Sequence, residues 1–264
     1  MTPELEKRLA ESLTAESTGI IPYLPYLLQD FWGLSSDPDE MAELLTCHTD
    51  FNSGWRILDL ACGKGMASVC LVRDFGCSAK GVDLIEAFID EAREKAAEHG
   101  VSDKCVFIAG DVNEAVAAER GYDLAIWGGA GDLMGSYAKT ISGIARTVKP
   151  GGYILFDDAY LPEEGKNLRF HHNYLTKSQW LELFKAERLT VIACNDTAPE
   201  YDPKEYEEDL GNIKKRAEEL ALEHPDKREM FEGYVKNQQS EYEDLQDGLI
   251  PSVWLLKKPS ASEE

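Results

Sequence analysis

The sequence predicts an α/β fold: a doubly wound, mostly parallel sheet of seven strands, with helices added at the N-terminus and inserted before the last strand. Three observations carry that prediction. Between residues 54 and 195, short apolar runs alternate with stretches of helical period, the pattern of a parallel sheet covered on both faces. Residues 1–50 and 199–249 lack this alternation and read as helices. A final apolar run, IPSVWLLKK, returns after the second helical stretch to complete the sheet.

The elements follow in order. Thr2-Pro3-Glu4 opens a helix with a cap, a proline in the first turn and an acid at the positive end of the dipole. An aromatic cluster, IIPYLPYLLQDFWGL, fills residues 20–34, and Ser36-Asp37-Pro38-Asp39-Glu40 repeats the opening grammar before Met41. Strands are expected at WRILDL (55–60), SAKGVDL (78–84), CVFIAGD (105–111), YDLAIWG (122–128), GYILFDD (152–158) and LTVIAC (189–194). Phe88, Ala92, Ala96 and Ala97 lie at helical spacing ahead of Gly100, and SYAKTISGIARTV precedes a KPGG turn. Thr176 is placed to cap a helix that starts in TKSQW. Residues 199–249 read as two acidic helices broken at His224-Pro225. The expected organisation is an N-terminal helical cap (1–50), an α/β core (51–198), an acidic helical insertion (199–249), and a last core strand with its tail (250–264).

Composition narrows the function. A hydrophobic share of 43% supports a full core, and a net charge of -22 with no Lys/Arg cluster disfavours nucleic acid and anionic membrane partners. The six cysteines form no C-x-x-C pair and no zinc spacing, so reduced thiols and no metal are expected. The charged, amphipathic start MTPELEKRLAESL does not read as a leader, and no apolar run approaches the ~20 residues of a membrane span. Together these give a cytoplasmic expectation.

The stretch ILDLACGKG (57–65) raises the functional question: an apolar strand ends on an acid, then breaks into small residues. In an open parallel sheet such a loop lies at the ligand crevice beyond the strand ends. A dinucleotide site wants G-x-G-x-x-G, but the frame from Gly63 places Ser68 at the third glycine. S-adenosylmethionine has no phosphate to cradle, and its cationic groups suit an acid in the position of Asp59.

These residues resemble motif I of the class I S-adenosylmethionine-dependent methyltransferases, D/E-x-G-x-G-x-G, with Ala61 in place of the first glycine. The resemblance runs on for roughly 140 residues in the family's order. It implies a Rossmann-like fold and cofactor contacts from Asp59, Ala61, Gly63, Gly65, Asp83, Leu84, Asp111, Val112 and Trp127. Asp83 would take the ribose hydroxyls and Asp111 the adenine amine, with Val112 donating its N–H to the ring. VKPGGYILFDD resembles the family's turn into strand five.

The resemblance also implies methyl transfer. Displacement at a sulfonium carbon has a good leaving group, so alignment and water exclusion can supply much of the acceleration. No N-P-P-Y or D-P-P-Y follows the fourth strand, where WGGAGD stands instead; a small-molecule acceptor is therefore expected. Candidate bases are Asp132, Asp158, His171 and His172, and Tyr23, Tyr26 and Trp127 are candidate acceptor contacts. The insertion is expected to join the N-terminal helices as a cap over the acceptor; a homodimer contact is its other reading. An NAD-dependent oxidoreductase, or a protein that holds S-adenosylmethionine without transferring methyl, are the alternative functions.

Overall fold

A computed structural model describes residues 1–34, 37–162, 174–196 and 203–262. In chain order the elements are α1 (Pro3–Ser12), α2 (Leu24–Leu27), α3 (Pro38–His48), β1 (Arg56–Leu60), α4 (Met66–Phe75), β2 (Ser78–Asp83), α5 (Glu86–Glu98), β3 (Cys105–Ala109), α6 (Val112–Ala118), β4 (Tyr122–Gly128), α7 (Tyr137–Thr147), β5 (Val148–Leu161), β6 (Leu175–Thr176), α8 (Lys177–Ala186), β7 (Thr190–Asn195), α9 (Pro203–Glu223), α10 (Arg228–Gln246) and β8 (Ile250–Lys257).

The caps read from the sequence are present. Thr2 accepts a hydrogen bond from the Leu5 amide, and Asp37 from the Asp39 amide. Gly100, at φ +70°, ends α5 after Val101 N–H has bonded back to the Ala96 carbonyl. The KPGG turn is a register break: Tyr122 pairs with Val148 and Leu124 with Tyr153, so Lys149–Gly152 bulge out of the ladder.

The strands form one eight-stranded sheet in the order β3-β2-β1-β4-β5-β8-β7, with β6 paired to β5. The seven expected strands are all present; the two-residue β6 is an addition too short to carry a sequence period. β3, β2, β1, β4 and β5 run parallel in succession, and β8 is antiparallel to β7. The order reverses between β1 and β4, so the crevice for a ligand lies at the carboxyl ends of those strands.

Contacts divide the chain into two compact units. The sheet unit comprises Trp32–Asp158, Ser178–Asp196 and Ser252–Glu264. Its core joins Ile57, Leu124, Ile126, Leu155 and Leu255 of the sheet to Met41 and Leu45 of α3, Val69 of α4 and Ile89 of α5. α3 is buried in that core, and it falls within the sheet unit.

The helical unit comprises Met1–Phe31, Ala159–Lys177 and Thr197–Pro251. Ile213, Ala217 and Leu220 of α9 are buried there, as are Phe231 and Tyr234 of α10, while Gln238, Tyr242 and Leu245 are half-buried. His224-Pro225 does break the two helices, because proline ends the amide ladder.

Candidate functional site

The loop after β1 turns on left-handed backbone: Ala61 at φ +57°, Gly63 at +51° and Gly65 at +74°. For Ala61 this conformation costs about 1–2 kcal/mol, which the glycine of the resembled motif avoids. Gly65 has no such alternative. A Cβ there would lie 2.8 Å from Phe107 and 2.9 Å from Ala92, so the loop sits directly on β3 and α5. Gly65 also precedes α4 with no side chain to cap it, and in the first turn the Ser68 amide bonds Asp59 instead.

Two carboxylates flank the loop. Asp59, on β1, is 3% exposed, and its Oδ2 accepts the Ser68 hydroxyl at 2.7 Å. Burial pushes its carboxyl up to about 7, against the opposing Ser68 bond and with help from the Asp83 charge. Asp83 ends β2 and is 8% exposed; its two oxygens accept the Gly63 and Ile85 amides, each at 2.9 Å. Burial raises this carboxyl too, and the amides of Ile85, Gly63 and Leu84 hold it back. Asp59, Asp83, Gly63 and Leu84 are thus brought together at one end of the sheet.

Ser68 is the residue that makes the dinucleotide frame imperfect, and its hydroxyl has a clear role. Wholly buried on α4, it orients Asp59. Lys64 is the loop's only cation, and it is engaged elsewhere. Its buried Nζ lies 2.9 Å from Glu91 of α5, and its carbonyl accepts the Trp32 indole N–H at 3.1 Å. Leu34 lies against Gly63, and Met66 lies against Gly33, so Trp32–Leu34 runs along the loop. The sequence offers no spacing signal for these contacts.

Asp111 follows β3 and caps α6, its Oδ1 accepting the Asn113 amide and side-chain amide at 2.8 Å each. Val112 is buried at the first position of α6, where the backbone N–H has no partner within the helix. The Gly110 amide bonds to the Asp83 carbonyl at 2.8 Å, which ties this corner to the end of β2.

β4 and β5 supply the other side of the crevice. Trp127 is fully buried on β4, in register with Phe156 of β5. Asp132 lies half-buried in the glycine-rich turn after β4, and Asp158 is 9% exposed on β5. Trp180 of α8 packs on Phe156 at 5.1 Å and on Tyr137 of α7 at 4.5 Å. His171 and His172 lie outside the described residues. Tyr23 and Tyr26 belong to the helical unit, where the Tyr26 hydroxyl donates to Glu219 at 2.8 Å and the Tyr23 hydroxyl accepts from Lys227 at 2.7 Å. Among the described residues no group of three or more His, Cys, Asp or Glu is placed to hold a metal ion. No helix among them is long and apolar enough to cross a membrane.

A family model described as a methyltransferase domain matches residues 51–258. The chain belongs to the methyltransferase-domain family. The methyltransferase domain is 36% identical over 107 residues to YjhP, an uncharacterized protein of Escherichia coli K12, covering 40% of this chain and 43% of that protein. It is 33% identical over 135 residues to a malonyl-[acyl-carrier protein] O-methyltransferase of Priestia megaterium, covering 51% of this chain and 46% of the relative. Each match therefore spans less than half of the relative's length. The fold is that of a Geobacter sulfurreducens S-adenosylmethionine-dependent methyltransferase solved with S-adenosylhomocysteine, at TM-score 0.73 and 21% identity, covering 89% of this chain and 97% of that one.

Proposed function

We propose that this methyltransferase domain transfers the methyl group of S-adenosylmethionine to a small-molecule acceptor. The observation that supports this most is the pair of buried carboxylates, Asp59 and Asp83, on either side of a loop whose one lysine faces Glu91. A pyrophosphate would meet two negative charges there. A ligand with an ammonium and a ribose diol meets two acceptors, and its arrival offsets the cost of burying them.

The roles proposed for the chain's own residues follow the family resemblance, and the geometry supports them. Gly63 and Gly65 leave the loop bare enough for close approach, Asp83 stands where ribose hydroxyls would bond, and the corner at Asp111 and Val112 presents a carboxylate and an amide to the adenine edge. S-adenosylmethionine, when bound, supplies a methyl carbon on a sulfonium leaving group. The carboxyl ends of β4 and β5 remain for the acceptor. Relatives with matching segments are named for O- and C-methylation, in keeping with one cofactor corner serving several acceptors.

Asp83→Ala tests the assignment. We expect S-adenosylhomocysteine affinity, read by calorimetry, to fall about 100-fold or more, since a charged acceptor of two hydroxyls is lost. The far-ultraviolet circular dichroism should not change. Affinity equal to wild type would remove Asp83 from the site.

A further inference from the structure

With Asp59, Asp83 and Asp111 assigned to the cofactor corner, the remaining groups at the crevice lie over β4 and β5. Successive strand residues alternate faces, so Phe156 and Asp158 share a face of β5, and Trp127 shares it through its register with Phe156. Trp180 packs on that face, against Phe156 at 5.1 Å, and carries the ring of Tyr137 edge-on at 4.5 Å. Tyr137 is the first residue of α7, and the two carboxylates whose charge acts on its phenol are Asp158 of β5 and Asp132 of the preceding turn. Burial and those two charges raise the phenol's pKa, so it stays protonated and keeps a hydrogen to donate. A second observation is independent of charge. The indole N–H of Trp127 is buried without a hydrogen-bond partner, a state that costs about 1–3 kcal/mol until an oxygen accepts it.

From this cluster, and resting on the methyltransferase reading, we propose that the face formed by Tyr137, Asp158, Asp132 and Trp127 receives an acceptor amine. Asp158 is the group that takes its proton, and Tyr137 is the residue that positions Asp158. Two carboxylates among aromatic rings suit an ammonium and repel a carboxylate or phosphate acceptor. The Trp127 N–H would pair with an oxygen carried by the same small molecule. The ammonium gives one proton to the Asp158 carboxylate, which becomes a carboxylic acid. The freed nitrogen lone pair attacks the methyl carbon, and the S–CH3 bond breaks with its electron pair left on sulfur. The products are the methylated ammonium and S-adenosylhomocysteine, and Asp158 returns its proton to water.

Binding of an inert cation tests this without a known acceptor. Tetramethylammonium and acetate are titrated separately, by ligand-detected NMR, into the protein saturated with S-adenosylhomocysteine, across pH 4–9. The cation should bind and acetate should not. Asp158→Asn should weaken the cation at least 10-fold at pH 8 while S-adenosylhomocysteine affinity holds, and Asp158→Glu should recover part of the loss. Tyr137→Phe should move the acidic midpoint of cation binding upward by about one pH unit, because the carboxylate loses a donor that favours its charged form. A merely structural tyrosine would leave that midpoint in place. Preference for acetate, no cation binding, an unchanged affinity in Asp158→Asn, or an unmoved midpoint in Tyr137→Phe would each overturn the proposal. If the wild type fails to bind S-adenosylhomocysteine, the methyltransferase reading falls first, and this one with it.

Discussion

Charge is handled in opposite ways at two places, one in each compact unit. Around Arg216 of the helical unit, acids end on a cation. The Arg216 guanidinium forks onto Asp30 at 2.7 and 2.8 Å and reaches Glu219 at 3.0 Å, and Glu219 also accepts the Tyr26 hydroxyl. In the sheet unit, Asp59 and Asp83 are more deeply buried, and their bonds come from a hydroxyl and from main-chain amides. The first arrangement is complete as it stands and serves folding. The second holds charge at a cost that a bound ligand would offset, in keeping with the cofactor site proposed above.

The comparison can be broken most severely at the loop that separates the two acids. Gly65→Ala puts a Cβ within 3 Å of Phe107 and Ala92 at a backbone angle of φ +74°. Overpacking and left-handed strain together should cost roughly 3–5 kcal/mol in denaturant unfolding and abolish S-adenosylhomocysteine binding. A folded variant with normal affinity would show that the loop is not the cradle.

Asp59→Asn sharpens the comparison through pH. The folded-state pKa of Asp59 is raised to about 7 from 3.8, so the unfolded state ionises first as pH rises. The unliganded protein therefore loses stability between about pH 4 and pH 7, and the loss is constant above that window. Removing the charge should stabilise the unliganded protein by up to about 4 kcal/mol at pH 8, and hardly at all at pH 4. It should also weaken S-adenosylmethionine, whose ammonium loses its counter-charge. Urea unfolding of both proteins at the two pH values, with and without S-adenosylmethionine, reads all of this. The smallest effect belongs to the helical unit: Arg216→Ala should shift the melting temperature by no more than about 3 °C, since exposed ion pairs contribute little.

What the sequence discloses divides along similar lines. β1, its loop and the acids at 59, 83 and 111 are readable because strand period, bare residues and strand-end acids are all local features. The family resemblance adds the order in which they occur. Contacts between distant residues leave no such trace. Lys64 is 27 positions from Glu91, and nothing in KGM announces that its ammonium will be buried. The prolines that flank Tyr23 and Tyr26 suggest acceptor contacts, while the two hydroxyls bond Lys227 and Glu219 near the other end of the chain. Tyr137 shows in the sequence only the lack of a lysine four residues on; its place beside Trp180 depends on how α7 and α8 cover β5. Ser68 lies between these cases. It is visible as a departure from a glycine frame, and its bond to Asp59 supplies the reason.

The most direct measurement is a parallel calorimetric titration of the protein with S-adenosylmethionine, S-adenosylhomocysteine and NAD. The account predicts binding of both adenosyl compounds and none of NAD. Binding of NAD alone would mean that the acids flanking the glycine loop serve a dinucleotide, and it would contradict the account at its centre.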